Sequence, residues 1–157
     1  MLTPTGIDQA ELVAVLKALR NRTFTDPGLA VGSTTASRVR FANTVQFAID
    51  GVNYSAVAQD NVSVGTMTAL AATEACRIRV EINSAGTLNF VQGKRVTGAR
   101  GTAPTPLRTA SRCTLGVIDV AGAFTFGTTT FAAETYIDGD PDLAPNGASD
   151  KQIGLEA

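Results

Sequence analysis

The sequence predicts a mainly β fold: an antiparallel β-sandwich or barrel-like domain with an N-terminal amphipathic helix and an extended C-terminal tail. Three observations predict it. Apolar and polar residues alternate in runs between Arg38 and Phe126, turn sequences rich in Gly, Asn and Asp separate those runs, and a helical period occurs only near the N-terminus. The organisation that follows is an arm over 1–37, a β domain over 38–131 carrying a basic loop at 93–112, and an acidic tail over 132–157.

The helix is expected from Thr5 to about Arg22. Thr5 and Asp8 supply capping oxygens, Asp8 and Glu11 have capping-box spacing, and Lys17 and Arg20 suit the negative end of the helix dipole. Leu12, Val13, Leu16 and Leu19 form its apolar stripe, which needs a surface to cover it. Thr23 to Ser37 reads as a polar, turn-rich connector.

From Arg38 the period becomes two. Val39, Phe41, Val45, Phe47 and Ile49 share one face, with an irregularity at Asn43, and Asp50-Gly51 is a two-residue hairpin turn leading into Val52–Ser55. A second hairpin alternates Cys76, Ile78, Val80 and Ile82 with Arg77, Arg79 and Glu81, turns at Asn83–Gly86 and returns through Thr87–Val91. A third is expected from Leu115–Val120 through Ala121-Gly122 to Ala123–Phe126. Val62–Ala75 carries no clear period and is left unassigned.

Several kinds of chemistry are excluded by composition. The 157 residues contain no His, which removes imidazole bases, Ser-His-Asp and Cys-His systems and most zinc sites. Glu74 with Glu81, or Asp119 with Glu134, are carboxylate pairs without a signature that joins them, and no nucleophile or phosphate-loop motif occurs. Asp138, Asp140 and Asp142 have the alternate spacing of a calcium loop, but Leu143 stands where such a loop needs Gly and Ser149 where it needs Glu. A non-enzyme without cofactor or metal is expected. Cys76 and Cys113 read as small buried hydrophobes, with a disulfide between strands left open. No apolar run approaches the length of a membrane span and the first residues lack a secretory pattern, so a soluble protein made in the cytoplasm is expected.

Charge is distributed unevenly within a net of −1. Residues 94–112 hold five bases and no acid, whereas 113–157 hold seven acids and one base. The loop, with Gly93, Gly98, Gly101, Pro104 and Pro106, reads as long, basic and flexible. Without interleaved aromatics it offers no platform for bases, so nucleic acid is not expected as a partner. Loop and tail have opposite signs and can neutralise each other within one chain or between copies, or stand as solvated surface.

Four phrases carry a resemblance: Phe41–Tyr54 (FANTVQFAIDGVNY), Ala58–Asn61 (AQDN), Val80–Leu88 (VEINSAGTL) and Leu115–Val120 (LGVIDV). In this order they are similar to virion structural proteins of tailed bacteriophages, above all head decoration (cement) proteins, over roughly residues 38–130. The resemblance implies a β-sandwich-like module on the outer surface of the head, binding the major capsid protein and self-associating, with a trimer favoured. The N-terminal helix and the Lys94–Arg112 loop have no counterpart in that resemblance. Interface candidates are Leu12, Leu16 and Leu19 on the helix, Arg95, Arg100 and Arg108 on the loop, and Asp138, Asp140 and Asp142 in the tail. The alternative is a tail or head-fibre module binding a host receptor or glycan. It is disfavoured by the absence of Trp and the presence of only Tyr54 and Tyr136 to stack on sugars.

Overall fold

Alternation in the sequence becomes three antiparallel sheets in the computed structural model, which describes residues 20–131 and 135–138. The strands are β1 (Arg22–Thr23), β2 (Leu29–Val31), β3 (Val39–Phe41), β4 (Val45–Ile49), β5 (Val52–Ala56) and β6 (Gln59–Val62). They continue with β7 (Glu74–Ile82), β8 (Leu88–Gln92), β9 (Val96–Thr97), β10 (Cys113–Ala121) and β11 (Thr135–Asp138). One sheet has the order β1-β4-β5 and a second β2-β3-β6. The largest runs β11-β10-β7-β8, with β9 pairing the start of β7 on the β8 side.

The first two expected hairpins form where the turn residues place them. Asp50 and Gly51 both have positive φ, 51° and 82°, which is the twist a two-residue turn needs to carry β4 into β5. β7 and β8 pair from Ile78 opposite Gln92 to Ile82 opposite Leu88. In their turn, the Asn83 side chain accepts hydrogen bonds from the Ala85 and Thr87 amides. The odd-numbered apolar residues Val39, Phe41, Val45, Phe47 and Ile49 are all buried, as are Cys76, Ile78, Val80 and Ile82. Asn43 marks more than an irregularity: it lies between β3 and β4, where the chain leaves one sheet for another.

Three segments differ from the sequence reading. Thr23–Ser37 is not only a connector, because it contributes β2 and part of β1 and buries Leu29 in the core. Polar composition hid this, since strands of two and three residues are too short to show a period. Ala123–Phe126 does not return as a strand beside β10. Instead Phe124 makes an isolated bridge to Leu70, and Phe124 packs on Phe126 and Phe131 with ring centroids 5.1 and 5.0 Å apart. The place beside β10 is taken by β11, so the segment after Phe131 is not wholly an extended tail. Of the expected N-terminal helix, all but the last residues lie outside the described residues, and Arg22 at its expected end is in β1.

The sheets meet over one core. β1 and β4 lie against β10, and β2 lies against β11. Phe41, Phe47, Ile78, Ile82, Leu115, Ile118 and Phe131 are fully buried between them. Cys76 and Cys113 are both buried, but at opposite ends of the β7–β10 pair: Val120 faces Cys76 and Cys113 faces Ile82. Six strand residues span about 20 Å, beyond the roughly 7 Å Cα limit of a disulfide. The two thiols are not bridged to each other.

Removing the Ile118 side chain leaves a cavity in the central strand pair. Ile118→Ala is expected to lower the unfolding free energy by about 2–5 kcal/mol. Val57→Ala, at a residue 72% exposed, is expected to be near neutral, and urea unfolding of both variants checks the contrast.

Candidate functional site

β7 and β10 present two faces, because successive side chains point to opposite sides of a sheet. On one face Cys76, Ile78 and Val80 sit opposite Val120, Ile118 and Gly116 and enter the core. On the other, Arg77 is opposite Asp119, Arg79 opposite Val117, and Glu81 opposite Thr114. Alternation in the sequence suggests that this second face is wet. It is covered. Glu81 is 0% exposed, Arg79 1% and Asp119 4%.

What covers it is the 93–112 loop, whose backbone and hydroxyls bond to the charged row one residue at a time. Arg77 Nε donates to Asp119 Oδ1 at 2.6 Å, and its Nη1 donates to Thr105 Oγ1 at 3.1 Å. Arg79 Nε donates to the Pro106 carbonyl at 2.8 Å, and Nη1 to Thr114 Oγ1 at 2.9 Å. Glu81 Oε1 accepts from the Thr109 amide at 2.7 Å, while Oε2 accepts from Asn89 Nδ2 at 3.2 Å. Ala103 of the same loop is buried. The loop is therefore tied to the sheet at Thr105, Pro106 and Thr109.

Its entry depends on Gly93, whose amide bonds the Arg77 carbonyl at 2.7 Å. A Cβ there would meet that carbonyl oxygen at 2.9 Å and the Pro104 carbonyl oxygen at 3.1 Å. Beyond Gly93 the chain forms β9 on the first residues of β7, and Gly98 bonds back to the Thr73 carbonyl.

The expected interface residues separate in this geometry. Arg95 pairs with Glu74 at 3.2 Å and donates to the Ala69 carbonyl at 3.3 Å, so it braces β9. Arg100 is partly buried. Arg108 Nη1 donates to the Asn21 carbonyl at 3.1 Å and so fastens the loop to the start of β1. Arg95 and Arg108 are thus engaged by different elements. Asp138 ends β11 opposite Gly116. Leu12, Leu16, Leu19, Asp140 and Asp142 lie outside the described residues. Arg77, Arg79, Glu81 and Asp119 were not among the candidates. The sequence shows only that the loop lacks acids and that Arg77, Arg79 and Glu81 alternate with apolar residues, which does not say that loop and row meet.

Asn21 links this end to the β4–β5 turn. Its side-chain oxygen accepts from the Asp50 amide at 2.9 Å, and the Arg20 carbonyl accepts from the Gly51 amide at 2.9 Å. Leu107, 91% exposed, and Val52, 54% exposed, therefore flank residues that all bond to the Arg20–Asn21 backbone or side chain.

A second polar cluster holds the β2–β3 connection to β6. The Asp60 carboxylate accepts from the Ser33 hydroxyl, from the Ser33 amide at 3.0 Å and from the Asn61 amide at 2.7 Å. Asn61, with φ of 53°, accepts through its side-chain oxygen from the Thr35 amide at 2.9 Å. The Ser33 hydrogen bonds hold the Asp60 carboxyl below its ordinary value of 3.8. A pocket of about 160 Å³ lies beside it, lined by Arg40, Phe41, Ala42, Ala58, Gln59 and Asp60. That is below the roughly 300–1,000 Å³ of small-molecule sites.

Among the described residues no group of three His, Cys, Asp or Glu gathers to hold a metal, and no helix is long and apolar enough to cross a membrane. The charged row positions the backbone of the loop. Compared with family models, curated proteins and solved structures, the chain matches none.

Two outcomes test these contacts. Glu81→Ala leaves the Thr109 amide and Asn89 without their acceptor and is expected to cost about 1–3 kcal/mol, with faster hydrogen exchange at Thr109 than in Glu81→Gln. Asp60, whose folded pKa is depressed, stabilises above the unfolded value, and that contribution is lost as pH falls below 3.8 through the folded pKa. Thermal melts from pH 6 to pH 2 are expected to show a shallower acid loss in Asp60→Asn than in the parent chain.

Proposed function

We propose that the chain is a non-enzymatic structural protein of a virion, a decoration or cement protein that binds the outer surface of the head. On this reading the β-body is sandwich-like, its partner is the major capsid protein, and copies associate as a trimer. One observation carries the proposal. The phrases resembling cement proteins fall on β3 through β5, on β6, on the β7–β8 hairpin and on β10, which together build most of one continuous core.

The distribution of side chains supports it. Buried charges are consumed in holding the loop, while Leu107 and Val52 stand exposed beside the Arg20–Asn21 anchor. Such a body can bury apolar side chains against another surface without rearranging, which keeps the ordering cost of binding low. Weak contacts of this size become effective when several copies engage a lattice together.

Particles of the source virus stripped of the protein, then incubated with recombinant chain, test the proposal. Rebinding detected by sedimentation, with antibody label spread over the head and restored heat resistance, is the expected result. Leu107→Asp is expected to weaken rebinding by about fivefold or more, the scale of a 1 kcal/mol interface residue. Label confined to tails or fibres overturns the reading in favour of receptor or glycan binding.

A further inference from the structure

β5 is an outer strand whose free side is set by the hydrogen bonds of its neighbours. The Gln46 carbonyl accepts from the Phe24 amide at 2.8 Å, and the Gln46 amide donates to Thr25 Oγ1 at 2.9 Å. Gln46, and Ala48 two residues on, therefore turn their backbone groups toward β1, while Val45, Phe47 and Ile49 turn theirs toward β5. The partners of those three are Ala56, Tyr54 and Val52. The amides and carbonyls of Asn53 and Ser55, which lie between them, point away from β4 to the open side of the sheet.

An open edge is a template for another strand unless something blunts it. β1 has two residues, β2 lies against β11, β6 is shifted against β3 and carries Asp60, and β8 is half-buried along its length. β5 has none of these features. It runs for five residues without charge or Pro, pairs with β4 without a shift, and exposes Val52, Asn53 and Ser55.

We propose that β5 is a self-association edge, which pairs antiparallel with β5 of a second copy about a two-fold axis at Tyr54. The register follows from what each alternative leaves unbonded. Centring on Asn53 sets Ser55 against Gly51, whose amide is already given to the Arg20 carbonyl. Centring on Ser55 sets Asn53 against Val57, beyond the end of β5, and Asp50 against Asp60. Centring on Tyr54 sets Asn53 against Ser55 on both sides of the axis, and each such pair exchanges both N–H···O bonds. Every outward amide and carbonyl of the two strands is then bonded, and exposed Val52 lies against the partner's Ala56. No residue from Val52 to Ala58 is charged, so the two edges do not repel. The contact is two-fold and therefore distinct from one that closes a trimer. It leaves Leu107 exposed and does not depend on the proposed capsid role.

The test compares the full chain at about 20 μM and about 1 mM, the range over which a small, weak interface fills. Sedimentation is expected to shift from monomer toward dimer. Hydrogen exchange at Asn53 and Ser55 is expected to slow severalfold, while the Val52 and Tyr54 amides, already bonded to β4, do not change. Asn53→Lys with Ser55→Lys is expected to weaken association at least tenfold. Asn53→Lys with Ser55→Asp restores it, because Lys faces Asp across the Tyr54-centred register. Ser55→Pro removes an outward N–H, leaves the ladder to β4 intact and is expected to abolish association. Four results overturn the proposal. They are a monomer at the higher concentration, association without slowed exchange at Asn53 and Ser55, exchange there that is already slow at the lower concentration because the chain covers its own edge, and a Lys–Asp variant that associates no better than the Lys–Lys one.

Discussion

The covered charged row of β7 is the constraint on which the arrangement depends. A buried carboxylate or guanidinium is costly unless its hydrogen bonds are supplied, and here the loop supplies them. Glu81, fully buried, takes the Thr109 amide, and Arg79 takes the Pro106 carbonyl. Neither the row nor the loop is satisfied without the other. A solvated row would leave the loop with little to hold it, because among its side chains only Ala103 is fully buried. The same contacts set the path of the chain between β8 and β10, with β9 and Gly93 fixing where it leaves the sheet edge.

Because that path is fixed, distant parts of the sequence meet at one end. Arg108 reaches back to the Asn21 carbonyl, and Asn21 in turn holds the Asp50 amide of the β4–β5 turn. One interaction therefore joins the loop of the largest sheet to the start of the first. β1, only two residues long, is held mostly by such neighbours and by its pairing with β4. Exposed Leu107 and Val52 stand at this junction, and their position follows from the Arg108–Asn21 and Gly51–Arg20 hydrogen bonds rather than from hydrophobic patterning.

Other polar groups do similar work on a smaller scale. Asp60 and Asn61 hold Ser33 and Thr35, which ties the β2–β3 connection to β6. Phe131 anchors the far side through its amide on the Ala36 carbonyl and its ring on Phe124. The three sheets thus share a core of ordinary aliphatic and aromatic packing. Their relative placement is specified by a few side-chain bonds between loops.

The β class, the β4–β5 and β7–β8 hairpins and the core faces of β3, β4 and β7 follow from the order of residues alone. These are local: alternation chooses the buried side, and Asp50-Gly51 or Asn83–Gly86 chooses the turn. Tertiary structure alone decided that the opposite face of β7 is buried. Alternation reports one covered face and cannot report a second one covered by a distant loop. It likewise decided that β11, and not Ala123–Phe126, pairs with β10, since a four-residue strand has too few positions to show a period. The loop's five bases are close in sequence, with no acid among them. Folding assigned Arg95 to Glu74 and Arg108 to Asn21, because each side chain answers to the nearest unsatisfied oxygen in space.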